Sequence, residues 1–249
     1  LRYFIEIAYN GTHYHGWQIQ PNALSVQAVV EQTLSTFFRN EIKVVGAGRT
    51  DAGVHAKQLF AHFDLDETID AENTIYKLNS FLPKDISVQN ILRVTPEAHA
   101  RFSATSREYE YVVSLGKDPF AQELAYQIHR APNMEQMNKA AEILLHYSDF
   151  QCFSRSNTDV KTYLCDVKKA VWEKQGDTLL FTITADRFLR NMVRAVVGTL
   201  LDVGFDKVSL EDVHTIIKSK DRGNAGASVP AHGLYLTKVS YPETIFLTA

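Results

Sequence analysis

Residues 46 to 55 read Gly46-Ala47-Gly48-Arg49-Thr50-Asp51-Ala52-Gly53-Val54-His55, which sets a guanidinium and a carboxylate two positions apart among three glycines. Glycines at that density imply unusual φ values or close backbone approach, so one compact turn presents Arg49 and Asp51 together. Two uses fit such a turn. Either the pair stabilises the loop, as Asp commonly does in glycine-rich turns, or the carboxylate faces a ligand and does chemistry. A nucleotide fingerprint does not fit, because G-x-G-x-x-G needs its third glycine where Asp51 stands and the Walker lysine is absent.

A second cluster lies late in the chain. The pattern from about Arg187 to Val203 predicts a helix with Arg187, Arg190 and Arg194 on one arc, opposite Leu189, Met192, Val193, Val196 and Leu200. That cationic face is either solvated or turned to a cleft, where an arginine pairs with Asp51 or touches phosphate. Arg101-Phe102 and Arg107-Glu108-Tyr109 interleave cations with rings, which suits unpaired RNA bases, although Tyr3, Tyr9, Tyr109 and Tyr111 equally suit ordinary strand positions.

Other chemistries find less support. His13 and His15 are two apart and His55 follows the Asp51 turn, but no further grouping completes a ligand set, so no metal is expected. There is no G-x-S-x-G elbow, and no base accompanies Cys152 in sequence. Cys152 and Cys165 form no CxxC pair, which fits a reducing cytoplasm.

Composition sets wider bounds. With 249 residues, 45% hydrophobic and 22% charged, the chain can bury a large core as one domain or two. A net charge of -3 does not itself suggest a polyanionic partner, yet a local basic groove is compatible with it. No stretch approaches the roughly 18 apolar residues of a membrane span, and no signal-like segment opens the sequence, which starts at Leu1 without Met and is expected to lack a few leading residues.

The elements that must position these residues follow from pattern. Arg2 to Tyr9 reads as a strand ended by Asn10-Gly11; Ser25 caps a helix carrying Val26, Val29, Val30, Leu34, Phe37 and Phe38. Ile42 to Gly46 and Lys57 to Leu65 read as strands, Asn73 to Leu82 as a helix stopped by Pro83, and Ile86 to Val94 as a strand. The block Arg107 to Gly116 resembles the opening strand. Asn133 with Gln136 then opens a helix, Lys168 to Trp172 and Thr178 to Thr184 form a strand pair, Ser209 with Asp212 opens another helix, and Leu234 to Val239 closes as a strand. The order predicts an α+β protein of two RRM-like or ferredoxin-like units with antiparallel sheets side by side, residues 1–105 and 106–249, each keeping helices on one sheet face, with a ligand cleft between them.

Several blocks together resemble the bacterial tRNA pseudouridine synthase A family nearly end to end. They include Tyr9-Asn10-Gly11-Thr12, Tyr14-His15-Gly16-Trp17-Gln18, the run Gly46 to Ala56, Leu82-Pro83-Lys84-Asp85-Ile86, His99-Ala100-Arg101-Phe102-Ser103-Ala104, Arg107-Glu108-Tyr109-Glu110-Tyr111, Phe188 to Arg194, Val197-Gly198-Thr199-Leu200 and Gly233-Leu234-Tyr235-Leu236. The Arg-Thr-Asp-Ala-Gly-Val-His run is the most specific of them. Departures fall at Ala98, where Phe or Tyr is frequent, and at Ser154, where many relatives place arginine.

The resemblance implies isomerisation of uridine to pseudouridine in the tRNA anticodon stem-loop, at positions 38 to 40, by a cytoplasmic homodimer without a cofactor. It implies Asp51 as catalytic aspartate, Tyr109 as the tyrosine beneath the target base, and Arg194 as the helix arginine that pairs with the aspartate. Arg49 then holds the place of the flipped nucleotide, and Leu234 lines the base pocket. A noncatalytic RNA-binding module and a nucleic-acid glycosylase using Asp51 are the rival readings.

Overall fold

In the computed structural model, which describes residues 1–155 and 160–247, the alternating opening block forms strand β1 (Arg2–Tyr9). Its odd-numbered side chains Tyr3, Ile5, Ile7 and Tyr9 are buried on one sheet face, and Phe4 is buried on the other. Helix α1 (Val26–Phe38) packs on the first face: Phe63 lies between Tyr3, 5.7 Å away, and Phe38, 6.3 Å away. Ser25 caps α1 by accepting from Ala28 N, and Arg39 ends it in the left-handed region at φ 52°.

Three further elements and a two-residue strand complete the leading half. Strand β2 is only Val45–Gly46, β3 is His55–Asp64, α2 is Ala71–Phe81 and β4 is Ile86–Val94. Strand β2 is short because α1 takes the backbone groups before it. Ser35 Oγ accepts from Ile42 N, Glu31 Oε1 accepts from Val44 N, and Gln27 Nε2 donates to Val44 O. With those groups satisfied by side chains, no ladder forms there.

The trailing half is built from β5 (Ser106–Leu115), β6 (Tyr126–Ile128), α3 (Met134–Leu144), β7 (Val167–Gln175), β8 (Thr178–Ala185), α4 (Met192–Gly204) and α5 (Leu210–Ser219). Strand β8 lies between β5 and β7, antiparallel to both, while β6 joins β5 in parallel. Gly176, at φ 61°, makes the turn from β7 to β8. Asn133 caps α3, and Ser209 and Asp212 form a reciprocal capping box on α5. Helix α4 is buried almost all round, and its Gly204 leaves room for Met137 of α3.

The last strand, β9 (Leu234–Ser240), departs from the 106–249 assignment. The chain divides into one unit of Leu1–Thr105 with Tyr235–Ala249, and a second of Ser106–Leu234. Residues after Leu234 join the first unit because β9 pairs in parallel with β3, His55 opposite Tyr235 and Ala56 opposite Leu236. Tyr241 and Phe246 then close on Phe4 at 5.0 and 6.2 Å. Within the first unit the strands therefore run β4-β1-β3-β9, and these rings partly cover the sheet face that carries Phe4. Thr248 and Ala249, at the end of the expected second domain, lie outside the described residues.

The architecture is α+β, and strand pairing is mixed rather than antiparallel throughout as expected, because β9 joins β3 and β6 joins β5 in parallel. Among the described residues no helix is long and apolar enough to cross a membrane.

Candidate active site

The turn that carries Asp51 is held by backbone, from both sides. Thr50 is buried; its Oγ1 accepts from Trp17 N at 3.1 Å and shares a 2.8 Å hydrogen bond with Tyr9 OH. Gly53 N donates to Tyr14 O, and Val54 N closes the turn on Asp51 O at 3.1 Å. Glycine is required where segments meet: a Cβ on Gly16, at φ 85°, would sit 2.2 Å from Thr50 O, and one on Gly11 would sit 2.0 Å from Val54 O. Gly46 likewise abuts the Trp17 indole, and Gly53 has φ 78°. Gly48 does not follow the expectation, since nothing lies within 4 Å of its would-be Cβ.

Within that frame Asp51 is half-buried and Arg49 is exposed. His55, at the start of β3, is buried, and its Nδ1 accepts from Gly11 N at 3.0 Å, which places the ring proton on Nε2. Its ring stacks on Tyr235 at 4.6 Å. Burial raises the Tyr235 phenol to about 12, so it stays protonated. Tyr14 donates to Asp85 Oδ1 at 2.7 Å, and burial together with that carboxylate pushes its phenol upward. Asn10, His13, Pro83, Lys84 and Asp85 line an open hollow of about 340 Å³ beside this frame.

The remaining expected site residues belong to the second unit. Tyr109 lies on β5 opposite Ile183, half-buried, with its ring edge-on to Phe188 at 5.1 Å. Two positions on, the buried Tyr111 donates to Pro230 O at 2.8 Å, and burial raises its phenol. Arg194 sits in the first turn of α4, half-buried, with Nε donating to Val229 O at 2.7 Å while Val229 N donates to Arg194 O at 3.2 Å. Leu234 is buried just after Gly233, whose missing Cβ leaves room for the Tyr111 ring. The single segment 229–234 thus touches the helix of Arg194 and the strand of Tyr109.

The arginine arc expected on one helix is corrected. Helix α4 begins at Met192, so Arg187 and Arg190 precede it and only Arg194 is helical. Asn191 adopts the left-handed conformation at φ 65°, which breaks the run, and Asp186 Oδ1 ties down Arg187 N and Asp166 N ahead of it. The pairing of Asn191 with Ser228 is not legible in the sequence, nor is the support that Thr50, Trp17 and Tyr9 give the Asp51 turn; no local pattern reports such long-range bonds.

Cys152 and Cys165 are buried free thiols, and burial pushes each up to about 12, so both stay protonated and poorly nucleophilic. Among the described residues no group of three His, Cys, Asp or Glu side chains is gathered to hold a metal ion. Ala98 is buried, its carbonyl accepting from Arg2, and Ser154 is buried as well.

Comparison with known proteins identifies the family. A family model described as tRNA pseudouridine synthase matches residues 6–103 and 140–242, which include Arg49, Asp51, Arg194 and Leu234. The tRNA pseudouridine synthase A of Bacteroides fragilis is 52% identical over 247 residues, covering 98% of each chain. That of Porphyromonas gingivalis is 51% identical over 250 residues, covering 99% of each. The Thermoanaerobacter sp. protein of the same name is 40% identical over 239 residues, covering 95% of this chain and 98% of its own. Likeness of this extent, with the Asp51 turn inside the matched region, makes the chain an enzyme belonging to the tRNA pseudouridine synthase A family.

Proposed function

We propose that this enzyme isomerises uridine to pseudouridine at positions 38, 39 and 40 of the tRNA anticodon stem-loop, with Asp51 acting at the ribose C1′ of a flipped uridine. The observation that carries the reading is the Asp51 turn itself, a half-buried carboxylate on a backbone-locked loop within the matched residues. The reaction breaks N1–C1′, rotates the uracil and joins C5 to C1′, releasing the C5 proton while N1 takes one up. No electrons or atoms are lost overall, so the chemistry calls for no cofactor. The nucleotide must leave its stack first, because neighbours cover both base and sugar.

Two routes use the same carboxylate. Asp51 either attacks C1′ as a nucleophile or removes a ribose proton to give a glycal-like intermediate. Tyr109 gives the uracil a flat surface, Leu234 an apolar wall, and Arg49 fills the space the nucleotide leaves. Arg194 orients the carboxylate, for which a guanidinium with a fixed plane is suited. This reading needs both α+β units, RRM-like or ferredoxin-like in kind, to act on one nucleotide across a cleft. It also takes the protein as a cytoplasmic homodimer whose two subunits contact one stem-loop.

Release of tritium from C5-labelled uridine in tRNA, together with nucleoside analysis, tests the proposal. Pseudouridine with tritium release is expected, and Asp51→Asn is expected to abolish both while tRNA still binds. Free uracil with an abasic sugar would mark a glycosylase, and retention of RNA without product would mark a binding module. Wild-type turnover by Asp51→Asn would remove the assignment of that residue.

A further inference from the structure

The N-terminus of α4 is tied to the segment that holds Arg194 by a polar lattice with Ser228 at its centre. Ser228 Oγ accepts from Asn191 Nδ2 at 2.5 Å and from Arg222 Nη2 at 2.8 Å. The other terminal nitrogen of Arg222 donates to Gly226 O at 3.1 Å and Ala225 O at 3.4 Å. The next residue, Val229, exchanges hydrogen bonds with Arg194 through its carbonyl and its N–H.

The rest of the segment is pressed against the same helix. Gly226 N donates to Thr199 Oγ1 at 2.9 Å, and a Cβ on Gly198 would lie 1.8 Å from Ala227 O. Asp221 accepts from Gly223 N at 2.8 Å and fixes the one-turn segment from which Arg222 reaches out. Ser228 Oγ thus gathers two side-chain donors, one of them from Asn191, which is held in the left-handed region at φ 65°.

We propose that Arg222 is a positioning residue for the reaction: by gripping Ser228 and the carbonyls at 225 and 226 it fixes Val229 O, and through it the plane of the Arg194 guanidinium. The inference rests on the reading of Arg194 as the group that orients the catalytic carboxylate. Arg222 uses a planar fork, with its two terminal nitrogens reaching separate acceptors. Lysine keeps the charge and offers a single point donor in place of that fork.

The test is steady-state turnover on tRNA with a double-mutant cycle. Arg222→Lys is expected to lower kcat about tenfold or more, with KM and tRNA affinity within about twofold, because misplacing an orienting group acts on the chemical step. Ser228→Ala, which removes the shared oxygen and leaves Arg222 its carbonyl partners, is expected to lower kcat in the same direction and guards against a folding defect in the first variant. In an Arg194→Lys background, Arg222→Lys is expected to cost less than about twofold more. Undiminished kcat in both Arg222→Lys and Ser228→Ala, or the full loss repeated in the Arg194→Lys background, would overturn the proposal. Wild-type turnover by Arg194→Lys alone would instead remove the reading beneath it, and the inference with it.

Discussion

Replacing His62 by asparagine should flatten the acid limb of the stability curve. His62 is buried on β3, its Nδ1 accepting from Ala100 N at 3.1 Å. Burial is the largest force against its protonation, reinforced by the charges of Arg2 and His99 and opposed by Asp64; together they lower it from 6.5 to about 4. The unfolded chain therefore takes up a proton below about 6.5 that the folded chain refuses. Stability from this group is whole above 6.5, falls as pH drops and is lost at about 4. Each pH unit is worth about 1.4 kcal/mol, so the full effect is about 3 kcal/mol. The side-chain amide of the His62→Asn variant would keep an acceptor near the Ala100 N–H and would not titrate. Urea unfolding at intervals from about pH 7 to about pH 4.5, followed by Trp17 fluorescence in a Trp172→Phe background, measures most of the change. The stability difference between the His62 protein and its His62→Asn variant should narrow steadily toward acid. Parallel curves across that interval would show that His62 titrates alike in both states, and the burial argument would fail.

Three further outcomes follow from local geometry. Thr50→Ala deprives Tyr9 OH and Trp17 N of a shared partner, so urea unfolding should show a loss of about 1–3 kcal/mol, and Thr50→Ser should restore it. Gly198→Ala drives a methyl to within 1.8 Å of Ala227 O, so the helix and segment 225–229 must part; a fall in Tm and in kcat is expected, with the loss in stability at about 1–3 kcal/mol or more. Tyr109→Phe preserves the edge-on contact with Phe188, so tRNA affinity should stay within about twofold. If that variant also turns over at the wild-type rate, the hydroxyl has no essential part.

What is legible in the sequence is local. Strands β1 and β4 fall at 2–9 and 86–94 as the local sequence predicts, and the Ser25, Asn133 and Ser209 caps make the hydrogen bonds their side chains suggest. The misses are long-range. Apolar periodicity runs smoothly back to Arg187 and carries no sign of the positive φ at Asn191, which makes the expected helix too long and its arginine face too wide. The apolar Ile42–Val44 stretch reads as strand, yet Ser35, Glu31 and Gln27 occupy its backbone from α1. Nothing near Leu234 tells that β9 pairs in parallel with β3. Arg49 and Asp51 stand out from the glycine run, whereas the bonds that steady it come from residues 9 to 17.

The glycines around that turn divide into positions open and closed to drift. At 11 and 16 the obstacle is a carbonyl of the opposing stretch of chain, and at 46 it is an indole, so no rotamer of a new side chain relieves the overlap. At 48 there is empty space and no left-handed backbone. Saturation libraries should therefore accept small residues at 48 and reject every replacement at 11 and 16. If Arg49 meets RNA as proposed, position 48 is an adjoining site that can vary without moving the carboxylate.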